Sequence, residues 1–140
     1  MTKRYDLIVG DAFNDLAVPF HLTTREFNER VRAWLAVNGL YLVNLVDRPN
    51  GEFVHAFAHT LGQTFPHVYV RPHTGTLPAS PRTVSILIAS LRPVALPGVI
   101  PLDQFFVDDS LHMNKRVTLT DEFAPVDQMV SPLFSSWGAW

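Results

Sequence analysis

The chain has 140 residues and a mass of 15.8 kDa, which is the size of about one domain. Hydrophobic residues make up 47% of it and charged residues 17%, so it can fill a core and does not have the composition of a disordered tail. A net charge of −2 gives no reason to expect nucleic acid or an anionic membrane as a partner, and the absence of cysteine excludes a disulfide framework, a thiolate zinc site and a cysteine nucleophile.

No targeting segment or membrane span is predicted. The sequence enters a strand-like run at Tyr5 without a signal-peptide hydrophobic region. The longest apolar-rich stretch, at 84–91, contains two serines and is far shorter than a spanning helix. A cytoplasmic protein without a membrane span in this chain is therefore expected.

The first part of the chain predicts a strand, a helix and a second strand. The run at 5–9 has an apolar centre typical of a strand that is buried on both faces, as in a parallel sheet. Thr23 and Glu26 have the spacing of a capping box, and Gly39 is placed to end the helix in a left-handed cap. One face of this helix is formed by Phe27, Val31, Trp34 and Leu35. A second buried strand is predicted at 40–46.

The rest of the chain continues the pattern and ends less regularly. A second helix is predicted from the apolar face formed by Phe53, Val54, Phe57, Ala58 and Leu61. Strands follow at 67–71 and 83–89, and because no helix is predicted between them, they are expected to pair antiparallel. A short helix is predicted around 102–106, within an irregular extension over 91–140 that packs on the remainder. The elements predict a single α/β domain over 1–140 with mostly parallel strands.

Three carboxylates are candidates for a functional site. Asp11 follows the first strand and Asp47 follows the second, at the strand ends beyond which open α/β sheets bind ligands. Asp11 could bind a cationic amine, orient it and take its proton as the nitrogen attacks an electrophile, and the alternative is that it only caps the loop. For Asp121 the alternatives are a carboxylate at the rim of the site and a turn or helix cap.

Two histidines on the second predicted helix have the spacing of a metal-binding pair. His55 and His59 are four residues apart, but the residues between them are not those of a zinc-protease motif, and no third ligand is evident. Their positions point away from the apolar face of the helix, so they are predicted to be solvated. No metal site is therefore expected.

Four ordered blocks of the chain resemble a known family. They are YDLIVGDAFNDL at 5–16 with its continuation VPFHLTTREF at 18–27, GLYLVNL at 39–45, FPHVYV at 65–70 and LTDEFAPVD at 119–127. The chain resembles the spermidine synthase (polyamine aminopropyltransferase) family, in which a hydrophobic strand ends in an Asp-Ala-Phe-Asp-Asp type loop before a Pro-Tyr-His-Leu-Thr-Thr helix entry. The likeness is greatest to the spermidine synthase-like domains that are often fused to transporter-like membrane segments.

The resemblance implies the C-terminal half of a class I methyltransferase-like Rossmann sheet, mostly parallel with a last antiparallel strand. Family members transfer an aminopropyl group to a diamine such as putrescine from decarboxylated S-adenosylmethionine, which is a co-substrate and not a tightly bound cofactor. The resemblance implies that Asp11 binds or deprotonates the attacking amine, with Asp15 as a second catalytic candidate. For substrate binding it adds Asn14, which stands where the family has a second carboxylate, to the candidates Asp47 and Asp121 named above from their positions.

The glycine-rich nucleotide loop of that family is not found in the chain, whose seven glycines are scattered. We therefore expect the donor-binding first half to be absent and the domain to be inactive alone. Two hypotheses remain open, an aminopropyltransferase domain acting on a polyamine with a nucleoside donor and a non-catalytic interaction or structural domain, with a methyltransferase-like protein as a third. A first strand without its neighbour, and the apolar tail at 137–140, predict a homo-oligomer or association with the missing half.

Overall fold

A mixed sheet with helices packed on one face forms the fold. The structure, a computed structural model, describes residues 3–11, 19–47, 51–71, 83–107 and 117–135. The elements in these ranges are β1 (Tyr5–Gly10), α1 (Arg25–Trp34), β2 (Leu35–Asp47), α2 (Glu52–Thr64), β3 (His67–Arg71), β4 (Thr83–Ser90), β5 (Ile100–Pro101), α3 (Leu102–Val107) and α4 (Val126–Ser135). Among them no helix is both long enough and apolar enough to span a membrane.

The strands follow the order β1-β2-β4-β3-β5 across the sheet. β1 pairs parallel with β2, while β4 lies antiparallel between β2 and β3, and β5 pairs antiparallel with β3. β1, β2 and β3 therefore point the same way. The predicted α/β class and the antiparallel pairing of the third and fourth strands are confirmed.

One face of the sheet, here called the covered face, carries the hydrophobic core. Its side chains are Tyr41, Val43, Leu45, Val68, Val70, Leu87 and Ala89, and all of them are buried. The predicted apolar face of α2 packs in the same cluster, together with Val31 of α1 and Val126 of α4. Each fully buried side chain of this size contributes about 1.5–3 kcal/mol to folding.

The opposite face, here called the open face, carries apolar side chains that water reaches. Strand alternation and the observed register place Leu7, Val9, Leu42, Val46, Val84 and Ile86 on it. Leu7 and Val9 are 53% and 59% exposed, and Val84 is 46% exposed. The prediction that the first strand is buried on both faces is wrong, because β1 lies at the edge of the described sheet and Ile8 alone of its apolar side chains packs against the core.

The first helix begins and ends at different residues from those predicted. Thr24, not Thr23, is the N-cap, and its hydroxyl accepts a hydrogen bond from the Phe27 N–H at 3.2 Å. The helix ends at Trp34, and Gly39 lies within β2 with an ordinary backbone angle. A Cβ at Gly39 would lie 2.8 Å from the carbonyl oxygen of Tyr5, so this glycine permits the close approach of β1 and does not cap a helix.

His55 is buried, so the prediction that both histidines are solvated is wrong for it. Its ring is 2% exposed and stacks on Phe105 of α3, with 4.8 Å between ring centroids. Nδ1 of His55 lies 2.8 Å from the carbonyl oxygen of Gly51. His59 is partly exposed and contacts the edge of Phe106. The short helix α3, which the sequence predicts, supplies the cover that the periodicity of α2 alone could not indicate.

The segment before α4 is tied to both α1 and α2 by main-chain hydrogen bonds. The Arg25 N–H donates to the Leu119 carbonyl at 2.8 Å, and the Leu119 N–H donates to the Thr60 hydroxyl at 2.9 Å. Leu119 itself is fully buried. The predicted domain boundaries, 1–140 with an extension over 91–140, stay predictions, and the predicted apolar tail at 137–140 lies outside the described residues.

Candidate functional site

The carboxyl ends of β1 and β2 bring two polar side chains together. The register pairs Gly10 with Val43, so Asp11 lies beside Asn44. The amide nitrogen of Asn44 donates a hydrogen bond to Asp11 Oδ1 at 2.9 Å, in an exposed position. Both residues lie on the open face by alternation. An exposed carboxylate is thereby held in one orientation at the strand ends where ligands bind in open α/β sheets.

This arrangement suits a carboxylate that receives a cation. An ionised carboxylate has acceptor sites on both oxygens, and the single bond from Asn44 leaves others directed to solvent. A protonated amine placed there would find a charged acceptor of fixed orientation. Asn44 is not among the site residues predicted from the sequence, although its amide interrupts the apolar run LYLVNLV, and that interruption is the signal that could have identified it.

Tyr41 packs beneath the strand end that carries this site. It is 2% exposed on the covered face, and a Cβ at Gly10 would lie 3.2 Å from its hydroxyl oxygen. Burial raises the pKa of the Tyr41 hydroxyl well above its usual value. Tyr41 is therefore a neutral packing residue beneath the end of β1.

Asp47 does not join Asp11. It lies on the covered face, and β2 continues four residues past Val43 to reach it, a distance of about 13 Å along the strand. It is 1% exposed and accepts a hydrogen bond from the Val54 N–H of α2 at 2.9 Å. Asp47 thus serves as an acceptor for the first turn of α2, whose own N-cap, Gly51, has no side chain to do so. Its predicted role in substrate binding stays a prediction.

Asp121 is placed against the N-terminus of α1. Its Oδ1 accepts a hydrogen bond from the Thr24 hydroxyl at 2.6 Å, and its N–H donates to Glu26 Oε2 at 3.0 Å. Thr120 and Phe123 close a turn around it through two main-chain hydrogen bonds. This is the geometry of a turn joined to a helix cap, one of the two alternatives that the sequence left open. The predicted role of Asp121 in substrate binding stays a prediction.

Two of the predicted site residues, Asn14 and Asp15, lie in 12–18, outside the described residues. Within the described ranges no group of three histidine or acidic side chains could hold a metal ion. Two clefts of about 310 and 230 Å³ lie elsewhere, the first beside His67 and Asp103 and the second beside Arg92.

Comparison with known proteins supports this fold and part of the resemblance. No family model matches the chain. It is 31% identical over 64 residues to a probable polyamine aminopropyl transferase of Bifidobacterium longum (strain NCC 2705), an alignment that covers 44% of this chain and 14% of the relative.

Two solved structures share the arrangement of helices and strands. A probable spermidine synthase from Corynebacterium glutamicum ATCC 13032 matches with a TM-score of 0.66 and 21% identity, over 83% of this chain and 47% of the other. Human methyltransferase-like protein 13, in complex with SAH, matches with a TM-score of 0.53 and 24% identity, over 81% of this chain and 50% of the other. The class I methyltransferase-like fold and a partial likeness to spermidine synthase-like proteins are confirmed, and the chain spans only about half of each solved neighbour.

Proposed function

We propose that this chain carries the amine-binding part of a spermidine synthase-like aminopropyltransferase. The observation that supports it most directly is the exposed Asp11 carboxylate, held by Asn44 at the carboxyl ends of two neighbouring parallel strands. The likeness to a polyamine aminopropyl transferase favours a diamine as the ligand at this position. Asp11 binds one ammonium group of the diamine, and Asn44 keeps the carboxylate directed at it.

The reaction that follows is a displacement at carbon. Asp11 takes a proton from the ammonium group that it binds, and the nitrogen freed in this way attacks the aminopropyl carbon next to the sulfonium of decarboxylated S-adenosylmethionine, forming a carbon–nitrogen bond. The carbon–sulfur bond breaks, its electron pair stays on sulfur, and 5′-methylthioadenosine leaves. The proton lost from nitrogen goes to Asp11, which acts as the general base. Asp15 is the second candidate for that role, and Asn14, Asp47 and Asp121 are proposed to line the substrate region.

The donor nucleoside needs residues that this chain does not supply. Its glycines are isolated from one another, so they do not form the backbone cradle that a nucleotide loop provides. A further stretch of protein is proposed to hold the donor, and the 140 residues alone are expected to have no aminopropyltransferase activity. No tightly bound cofactor is proposed, and the expected location is the cytoplasm.

Two alternatives share the fold. The exposed apolar open face favours a non-catalytic interaction domain, because such a surface is costly to leave in water. The likeness to human methyltransferase-like protein 13 favours an S-adenosylmethionine-dependent methyltransferase. All three functions differ in the small molecules that they bind, and this makes them separable by titration.

Titration calorimetry of the 140-residue chain with putrescine tests the proposal. We expect saturable binding that weakens about tenfold in Asp11→Asn, the loss of one charged contact. Asp103→Asn is the matched control, since it removes an exposed carboxylate from α3 and should leave binding unchanged. Absence of putrescine binding to a folded chain, or equal loss in both variants, would contradict the role of Asp11.

Nucleoside titrations then separate the alternatives. 5′-Methylthioadenosine and S-adenosylhomocysteine are added separately to the chain, with and without putrescine. No binding of either nucleoside, together with binding of putrescine, is the result that the proposal predicts for these 140 residues. Binding of S-adenosylhomocysteine alone would favour a methyltransferase, and no binding of any of the three would favour the interaction domain.

A further inference from the structure

The contact between α1 and α2 encloses polar side-chain atoms that make no hydrogen bond to the described residues. Asn28 of α1 is 0% exposed, and neither Oδ1 nor Nδ2 of its amide has a partner among them. The hydroxyl Oγ1 of Thr64 in α2 is also buried and has no partner there. Buried polar groups in folded proteins are paired in most cases, either with protein or with ordered water. Three such atoms at one helix contact therefore indicate a partner that they share.

Hydrogen bonds at two levels show how α1 lies against α2. The Arg25 N–H and the Thr60 hydroxyl both bond to the main chain of Leu119, at 2.8 and 2.9 Å. Two turns further along α1, the Arg32 guanidinium donates to the Thr64 carbonyl at 2.9 Å. Because the later residue of α1 meets the later residue of α2, the two helices run side by side in the same direction.

Asn28 and Thr64 lie at the same level of this contact. Asn28 is three residues after Arg25 and four before Arg32, so it shares with them the side of α1 that meets α2. Thr64 follows Thr60 by one turn, on the side of α2 that meets α1. A rise of about 1.5 Å per residue sets Asn28 about 4.5 Å beyond Arg25 and Thr64 about 6 Å beyond Thr60. The unpaired atoms of the two side chains therefore border one space between the helices.

We propose that this space is a binding site for an internal water molecule, which joins the Asn28 amide to the Thr64 hydroxyl. The amide carries a donor and an acceptor, and the hydroxyl is both at once. Water also donates and accepts, so the bridge forms whichever end of the amide faces the hydroxyl. Internal waters in folded proteins are typically held in this way, by buried polar groups that have no other partner.

The surroundings of this space favour water over an ion. The Arg32 guanidinium, bonded to the Thr64 carbonyl, lies beside it and would repel a cation. Two of the three unpaired atoms are oxygens, Asn28 Oδ1 and Thr64 Oγ1, and their lone pairs would repel an anion. The hydrogen bonds through Leu119 and Arg32 hold the two helices together on either side of the space, which favours a small ligand. A small neutral molecule that both donates and accepts meets all of these conditions.

Water–protein NOE spectroscopy of the isotope-labelled 140-residue chain tests for the bound water directly. We expect cross-peaks from water to the side-chain amide protons of Asn28 and to the methyl protons of Thr64, with the sign of a water that tumbles with the protein. The side-chain amide of Asn44 is the matched control, because its exposed position gives it contact only with rapidly exchanging surface water. Absence of these cross-peaks at Asn28, or the same long-lived water at both amides, would overturn the proposal.

A double-mutant cycle tests whether the two side chains share that water. Asn28→Leu and Thr64→Val each replace one end of the bridge by an apolar side chain, so each should raise the unfolding constant from urea titration about tenfold. The double variant should lose no more than either single variant, because no end of the bridge is then left buried and unpaired. If the two losses multiply, or if either single variant is more stable than the original chain, the proposal is wrong.

Thr83→Val supplies the control for the cycle. The Thr83 hydroxyl donates to the Asp47 carbonyl at 3.2 Å, near the N-terminus of α2, whereas Thr64 is the last residue of that helix. Asn28→Leu combined with Thr83→Val should therefore show losses that multiply. Coupling as large in this pair as between Asn28 and Thr64 would contradict a local bridge. Neither the NOE nor the unfolding measurement uses putrescine or a nucleoside, so their outcome is separate from that of the proposed function.

Discussion

Two apolar triplets of similar sequence have opposite surroundings in this fold. Leu7-Ile8-Val9 of β1 leaves its first and last side chains more than half exposed, whereas in Ile86-Leu87-Ile88 of β4 Leu87 is 0% and Ile88 5% exposed. β4 has a strand on each side, and Ile88 is flanked by Leu42 and Tyr69 on the open face itself. Among the strands that the structure describes, β1 has one neighbour. An apolar run predicts that a strand is buried. The strand's position in the sheet determines whether the described residues bury it.

The largest expected effect compares the two triplets directly. Leu87→Ala should lower the free energy of unfolding by about 3 kcal/mol, because it removes a fully buried side chain and leaves a cavity. Leu7→Ala should change it by less than about 0.5 kcal/mol, since the side chain is already largely in water. Urea unfolding at a concentration where the chain is monomeric measures both. Similar losses would mean that the open face is covered in solution.

A smaller loss of stability is expected at the two carboxylates that accept hydrogen bonds at helix N-termini, Asp47 at α2 and Asp121 at α1. Asp47→Ala should cost about 2 kcal/mol, because the buried Val54 N–H loses its acceptor. Asp121→Ala should cost less than about 1 kcal/mol, because water can replace an exposed carboxylate at the Thr24 hydroxyl. The same urea measurement applies. A larger loss at Asp121 than at Asp47 would contradict the assignment of the buried cap.

The smallest expected effect appears only at high pH. It is seen by comparing Tyr41, buried on β2, with Tyr5, exposed on β1. Burial raises the pKa of Tyr41 in the folded chain, while in the unfolded chain it ionises near pH 10. Below about pH 10 both states keep the proton, and above it only the unfolded state loses it. Stability should therefore fall as pH rises, by at most about 1.4 kcal/mol per pH unit from this residue.

Urea unfolding between about pH 9 and 11 measures that slope. Tyr41→Phe should make the fall less steep than in the original chain. Tyr5→Phe, at an exposed ring on β1, should leave the slope unchanged and is the control. An identical slope in the original chain and in Tyr41→Phe would show that Tyr41 is not what limits stability at high pH.

The order of elements could be predicted from the sequence because it depends on local periodicity. The apolar face of α2 and the strands around it follow from spacings within a few residues. The end of α1 could not be predicted in this way, because Gly39 is required by contact with the Tyr5 carbonyl, 34 positions earlier. The burial of His55 likewise depends on Phe105 of α3, a residue 50 positions later. Errors in the fold thus occur where a distant segment supplies the deciding contact.

The candidate site, likewise, could be predicted only in part from the sequence. Asp11 follows from its place at a strand end, and the structure leaves it exposed there. Asn44 could not be assigned without the register of β1 on β2, which sets the two side chains beside each other. Asp47 lies three positions after Asn44 on the same strand, an odd offset, so the two side chains point to opposite faces of the sheet. The strand-end rule identifies positions along the chain but does not identify the face.

The place of β4 between two earlier strands bears on how the chain folds during synthesis. β2 and β3 leave the ribosome before β4, yet each pairs with β4 and not with the other. Until residue 90 has left the exit tunnel, β2 and β3 both lack the strand that pairs with each of them in the folded sheet. β4 then forms eight residue pairs with β2 and five with β3. The interval before that closure is when the growing chain is most open to pairing with the wrong strand.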